Sequence, residues 1–546
     1  MDQSRNSPLC SAWRSVSQRA RMLLPVGFQT EMKETCKLAG PVMISQLMGF
    51  AVGFVSTSFC GHLGKTELAG VSLAISVINV LGISIGFGLA TACDTLMSQT
   101  FGSGNHHKVG VILQRSILIL ILACFPCWAI LLNTEALLLA VGQEPEVARL
   151  SQVYVQIFMP ALPATVLFLL EAKYLQAQGI IWPEVVTGLV VNVLNALINY
   201  IVLFVFELGV RGSAIANLLS QYLMAVVLYG YILWKGLHKS TWKGWSRECL
   251  EDWGQFMRLA IPSLLMVCVE WWTYEIGNFL AGIISEVELG AQSVVFQIAN
   301  LAYMFPMGFS VAGCVRVGNA LGAGDTEQAK LSAKISMFTG VSVSVILAVL
   351  VGSLKNYVSF ILTYDEEIRQ RVSDLVSFYA PFLLLDATVA VSGGIIRGAG
   401  KQKVGAICYI VGYYGIGLPI GVPLMFAAKM GIVGLWTGIL TCVFLQCIFL
   451  NVYLFCMNWR TATVEAQIRA GVCTSVPDAD ELPHSASQDN LLELVEAEED
   501  AAAPPTQMDD ITFRKLLVRR GKVLVLMLLI LAAGISVNLL VSIHIT

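Results

Sequence analysis

The chain has 546 residues, of which 56% are hydrophobic and only 13% charged, too few charges to clothe a soluble protein of this length. Its formal net charge of −3 offers no basic surface to a nucleic acid or other polyanion. What remains is an all-α polytopic membrane protein.

The first 37 residues are a leader carrying Arg5, Arg14, Arg19, Arg21, Lys33 and Lys37, with no apolar run long enough for a signal peptide. The first hydrophobic stretch, Leu38 to about Leu63, shows no small-residue cleavage pattern. It is expected to remain as a signal anchor with the leader, 1–37, in the cytosol. About 20 apolar residues cross the hydrocarbon as a helix. Roughly twelve such runs lie between Leu38 and Trp459, centred near residues 50, 80, 121, 165, 195, 223, 268, 300, 345, 385, 415 and 443. A thirteenth, about Val523 to Ile543, follows a polar stretch from Arg460 to Arg520. That stretch, with its acidic segment up to Asp500 and Pro504-Pro505, cannot bury a core and reads as a disordered cytosolic linker.

Charge sets the orientation. The loop after the fourth run has Lys173, the loop after the sixth has Lys235, Lys239, Lys243 and Arg247, and the loop after the tenth has Arg397, Lys401 and Lys403. The loop after the third instead has Glu135, Glu144 and Glu146 against Arg149 alone. Even-numbered loops are thus basic and expected in the cytosol. The linker then lies inside as well, and the thirteenth helix puts Thr546 outside.

The halves repeat. Leu38-Ala-Gly-Pro41 returns as Leu259-Ala-Ile-Pro262, and Glu67-Leu68 as Glu288-Leu289, both at an offset of 221. Gly102-Ser-Gly104-Asn105 returns as Gly322-Ala-Gly324-Asp325, Ala177-Gln-Gly179 as Gly398-Ala-Gly400, and Gly209-Val-Arg-Gly212 as Gly431-Ile-Val-Gly434. Six spans per half make the repeat parallel, the arrangement of two-lobed secondary transporters with a substrate cavity between the lobes. The expected domains are an N-lobe at 38–235, a cytosolic inter-lobe loop at 236–257, a C-lobe at 258–459, the linker at 460–520 and a C-terminal span at 521–546.

A carboxylate at the bilayer centre costs about 2.5–3.5 kcal/mol and needs a reason. The candidates are Asp94, Glu171, Glu270, Glu275 and Asp386. Asp94 and Glu171 stand near basic ends, with Lys108 and Lys173 following, and read as structural pairs at the interface. Glu270 and Glu275 lie mid-run in Val267-Cys-Val-Glu270-Trp-Trp-Thr-Tyr-Glu275. Five residues apart, they are rotated by about 140° on a helix, so they do not share a face. Trp271, Trp272 and Tyr274 crowd them. Aromatic faces and a carboxylate suit a desolvated organic cation, and apolar walls favour a carboxyl group that holds its proton. Proton and cation then compete for one group, the minimal physics of an antiporter. The opposing reading of the tryptophans is a lipid-facing pair at the membrane interface.

Other polar groups inside the runs are Gln46, Asn79, Gln297, Asn300 and Tyr303. A stripe of Asn192, Asn195 and Asn199 serves equally as a solvated wall or as glue between helices. No P-loop, GxSxG or HExxH occurs, and His62, His106 and His107 sit at run ends. Neither an enzyme, a cofactor nor a metal site is expected. Most of the fourteen cysteines lie in apolar runs, Cys60, Cys93, Cys124, Cys268, Cys314 and Cys442 among them, and read as buried thiols.

Particular stretches carry a resemblance: Phe59-Cys-Gly-His-Leu-Gly64, Ala92-Cys-Asp-Thr-Leu96, Val111-Ile-Leu-Gln-Arg115, Glu270-Trp-Trp272, Val315-Arg-Val-Gly-Asn-Ala-Leu-Gly-Ala-Gly324 and Gly412-Tyr-Tyr-Gly415. Over about residues 30 to 460, and again in the late helix, the chain resembles the multidrug and toxin extrusion (MATE) family, specifically its vertebrate members 1 and 2. The resemblance implies two six-helix lobes around a cavity that alternates between faces. It implies proton-coupled efflux of organic cations at the plasma membrane, apical in polarised epithelia; separately, the chain is expected to function as a monomer. It puts Glu270, Glu275 and Asp386 at the coupling positions. This chain departs from its relatives at Gln297, where they carry glutamate, and at Asp386, where the family has glutamate. Bacterial members often place an aspartate on run one, where this chain has Gln46. Sodium coupling and a lipid or polyprenol flippase are the alternatives within transport. A flippase is expected to line its cavity with basic residues, and none stands clearly mid-run.

Overall fold

The computed structural model describes residues 26–60, 63–357, 366–472 and 510–545. Among these the regular structure is helical throughout, and thirteen helices are long and apolar enough to cross a membrane. The first twelve are α1 (Phe28–Cys60), α2 (Thr66–Gly102), α3 (His106–Leu131), α4 (Pro145–Ala177), α5 (Trp182–Val205), α6 (Gly209–Lys235), α7 (Trp253–Ile284), α8 (Val287–Gly322), α9 (Thr326–Ser353), α10 (Glu366–Gly398), α11 (Gln402–Phe426) and α12 (Ile432–Cys456). A short helix, α13 (Trp459–Ala470), follows α12. The last, α14 (Asp510–Ile545), contains the thirteenth span. With no water in the hydrocarbon to satisfy a bare backbone, an apolar run closes its hydrogen bonds within the segment. Pro41 and Pro262 sit inside α1 and α7 at corresponding places in the repeat.

The repeated glycine motifs are turns. Gly104 and Gly324 have φ of +81° and +82°, a left-handed conformation open to glycine. The next residues, Asn105 and Asp325, cap α3 and α9, accepting from the Lys108 and Gln328 amides at 3.3 and 2.9 Å. The same local chemistry therefore reverses the chain after α2 and after α8.

One hydrophobic core joins Val71, Leu96, Leu120, Tyr154 and Leu170 in the N-lobe. Another joins Val295, Leu375, Phe382, Tyr413 and Trp436 in the C-lobe. The lobe boundary differs from the sequence reading. α7 starts at Trp253, before residue 258, and Trp253, Phe256 and Ala260 pack into the N-lobe core. α1 crosses the other way: Ala39 packs with Phe309 and Ala312 of α8. Its start, Phe28, lies within the supposed leader. Buried Glu31 accepts from Arg316 Nε at 2.8 Å, Ser332 at 2.7 Å and Gln328 at 2.6 Å. Each lobe's first helix thus leans on the opposite lobe.

The lobes also meet where α2 and α8 end. A side chain at Gly102 would run into the Asn319 main chain, and one at Gly322 into the Gln99 main chain. These contacts are repeat partners of each other, and they bring two helix backbones together. α13 lies over this crossing. Arg469 donates to Gln99 Oε1 at 2.9 Å, and Glu465 accepts from Lys401 at 2.7 Å. Structure thus occupies both ends of the stretch read as a linker, α13 at one end and the first turns of α14 at the other; residues 473–509 lie outside the described residues.

Candidate functional site

α7 runs antiparallel to α2 across the mid-depth of the molecule. Leu264 fills the space beside Gly88, Trp271 stacks on Phe87 with ring centroids 5.7 Å apart, and Trp272 Nε1 donates to the Val80 carbonyl at 3.1 Å. Val80 belongs to a π-helical turn, Asn79–Ile83. Such a turn distorts the α-helical hydrogen-bond ladder and often marks functional sites. Both tryptophans therefore face the N-lobe, and neither faces lipid alone.

Glu270 takes the other side of α7. It lies beside the Tyr303 hydroxyl of α8 and within charge range of Asp386 on α10 and of Arg397 at the end of α10. Asp386 is only 6% exposed. Five tyrosines from four helices, Tyr274, Tyr303, Tyr379, Tyr409 and Tyr413, are near enough to one or both carboxyl groups to feel their charge. Trp436 backs this group, meeting Tyr379 and Phe382 edge-on at 5.9 and 5.2 Å, with its Nε1 donating to Gln292 at 2.8 Å. Buried Gln446, packed against Gly412, leaves both side-chain polar atoms without a partner, as Tyr413 leaves its hydroxyl. The arrangement is two carboxyl groups walled by aromatic rings and hydroxyl dipoles. It offers a cation countercharge, ring faces and hydrogen-bond partners at once.

The structure brings Glu270, Tyr274, Tyr303 and Asp386 together. Glu275 stands apart, its carboxylate accepting from Asn278 at 3.5 Å. Gln297 is exposed, although its neighbour Phe296 meets Tyr274 at 6.0 Å. Gln46 and Asn79 are half-buried, on α1 and at the head of the α2 π turn. The asparagine stripe is glue: Asn192 donates to the Met48 carbonyl at 2.8 Å, Asn195 to Ser220 at 2.7 Å, and Asn199 accepts from Ser56 at 3.2 Å.

In the N-lobe, Asp94 pairs with Lys173 at 2.9 Å, both buried, which is the structural pair expected of Asp94. Lys173 also stands 5.5 Å from the Phe87 ring, on which Trp271 stacks. Glu171 keeps one buried carboxylate oxygen unpartnered. Sequence reasoning passed over Glu184, 4% exposed, which accepts from Ser45 at 2.6 Å and Gln176 at 3.0 Å. Placed right after Pro183 at the start of a run, it resembles an ordinary acidic residue in a helix's first turn. By its place in the sequence Arg397 is a loop cation. It reaches inward instead, donating to Ser310 at 3.0 Å.

Two parallel six-span lobes around a polar, aromatic-walled interior fit a membrane transporter, and the comparisons give the family. The profile of the MatE family matches residues 41–201 and again 262–422, two segments set at the offset of the repeat. The chain belongs to the MatE family and is a transporter rather than an enzyme. It is 58% identical over 95% of its length to multidrug and toxin extrusion protein 1 of Danio rerio, covering 92% of that protein. It is 49% identical to the human protein of that name, over 96% of each chain, and 49% identical to multidrug and toxin extrusion protein 2 of Mus musculus, over 92% and 90%. Among solved structures, the eukaryotic MATE transporter AtDTX14 superposes with a TM-score of 0.79 at 29% identity, over 81% of this chain and all of that one. An outward-facing multidrug resistance MATE transporter shares the fold at a TM-score of 0.69, over 81% of this chain and 99% of that one.

Proposed function

We propose that the protein extrudes organic cations across the plasma membrane in exchange for protons, by alternating access between its lobes. The observation that carries this reading is the closeness of Glu270 and Asp386 inside a wall of tyrosines. Like charges repel strongly where water is scarce, and Arg397 near Glu270 offsets only part of the pair's charge, so the pair attracts a proton or an organic cation and the two compete for it. The names of the curated relatives support drugs and toxins as cargo. The basic loop after the sixth run and Lys401 and Lys403 after the tenth support a cytosolic position for the crossing of α2 and α8 and for the N-terminus. The conformation is then closed inward, ready to release cargo outside and take up a proton there.

The test uses proteoliposomes loaded with a fluorescent organic cation. A gradient that is acid on the receiving side is expected to drive extrusion, and Glu270→Gln to reduce it at least about tenfold, the loss expected when a charged contact of 1.5–3 kcal/mol disappears. Transport that answers only to a sodium gradient rejects proton coupling; full activity of Glu270→Gln rejects the site.

A further inference from the structure

Basic residues from three separate parts of the chain converge where α14 lies against α3 and the inter-lobe loop. Between Arg514 and Lys522 the last helix carries five cations, Arg514, Lys515, Arg519, Arg520 and Lys522, and the sequence has no acidic residue from Ile511 onwards. Arg520 Nε donates to the Leu250 carbonyl at 2.9 Å while its guanidinium stands 4.3 Å from the Trp253 ring. Arg247 of the loop stands 4.6 Å from the Phe513 ring. From α3, Arg115 reaches the same seam. It is 4% exposed, donates to the Glu248 carbonyl at 3.2 Å and lies 3.6 Å from Asp252, yet its Nε has no partner. Asp252, Glu248 and Glu251 supply the local negative charge. Arg514, Lys515, Arg519 and Lys522 stay exposed around it.

Depth matters as much as charge. The cations precede the apolar part of α14, and the loop beside them presents Trp245, 63% exposed, with Trp234 at the end of α6, 76% exposed. Lys235 Nζ lies 4.6 Å from the Trp234 ring. Amphipathic aromatic rings prefer the level of lipid headgroups, and five cations beside the start of a span attract anionic lipid by about 1 kcal/mol each.

We propose that this seam binds the headgroup of an anionic phospholipid from the adjoining leaflet. Arg115 and Arg520 form its floor, and Arg519, Lys522 and the loop cations form its rim. The proposal is independent of the substrate and of the coupling ion.

The detergent-purified full chain is titrated with phosphatidylserine and, separately, with phosphatidylcholine, and bound lipid is counted by native mass spectrometry. Phosphatidylserine is expected to bind at the lower concentration, and to be released as salt is raised. Arg519→Gln with Lys522→Gln, both at exposed positions, is expected to weaken phosphatidylserine about 25-fold without altering phosphatidylcholine retention. Equal retention of the two lipids overturns the proposal, as does an unchanged phosphatidylserine affinity in the double variant. Soluble phosphoserine is the third arm. If it displaces phosphatidylserine at equal concentration, the seam reads a free anion and the lipid assignment fails.

Discussion

Buried charges in this protein divide into those that are matched and those that are not. Asp94 and Lys173 satisfy each other at 2.9 Å, so removing one strands the other in a nearly dry site. Lys173→Met is expected to lower stability by about 3–5 kcal/mol, and adding Asp94→Asn to restore much of it, as read from thermal unfolding in detergent. Glu270 and Asp386 have no such one-to-one match: each is near the other's like charge, and Arg397 acts on Glu270 from a distance rather than as an ion pair. That difference was half legible in the sequence. The expense of an acid in an apolar run singles out Asp94, Glu270 and Asp386 alike. Which of them has a cationic partner depends on how α4 stands beside α2, and no spacing within one helix reveals that. Glu270 and Glu275 were separable from the outset, because a helical rotation of about 140° keeps them on different faces. The tryptophans were misleading for the reason Lys173 was hidden. Adjacent residues on α7 both meet α2 because Phe87 and Val80 fall on one face of that antiparallel helix.

At the scale of elements, the spans were readable because apolar length is a one-dimensional property, and the repeat was readable because turn glycines recur. α13 was not. Its residues are polar, and a mixed sequence after the twelfth span looks like the start of a linker. Its helicity depends on burial against both lobes, with Ala462 and Ala466 packed beside Leu321 and Ala399. Arg469 holds α13 to the N-lobe through Gln99, while Lys401 holds Glu465 from the C-lobe. α13 thus bridges the two lobes over the crossing of α2 and α8, as a latch would under the proposed alternating access. Arg469→Ala removes a buried charged hydrogen bond of roughly 1.5–3 kcal/mol, which is expected to raise the fraction of molecules open at this face. Cys314, buried with 1% exposure beneath the Gly398 contact, is a native reporter. Its labelling by a maleimide, followed by peptide mass spectrometry, is expected to accelerate at least about tenfold, and an unchanged rate would reject the latch.

For the whole molecule, the exchange of first helices is the organising feature. α1 leans on the C-lobe and α7 on the N-lobe, so neither lobe turns without dragging a helix anchored in the other. The lobe boundaries drawn from hydropathy were misplaced for that reason: a chain that leaves one lobe in sequence has not yet left it in space. The crossing beneath them is built from backbone, with Gly102 against Asn319 and Gly322 against Gln99. Main chain pressed on main chain makes a tight seam, and under the proposed proton exchange that seam is what limits slip between turnovers. Gly102→Ala wedges a methyl group into that seam, at a packing strain of about 1–3 kcal/mol. Proteoliposomes carrying this variant are expected to dissipate a pH gradient with no cargo present, seen as a steady leak current that the unaltered protein does not pass. Under the proposed exchange, the glycines that make the repeat visible are thus also the insulation that keeps an energised membrane from discharging through the protein.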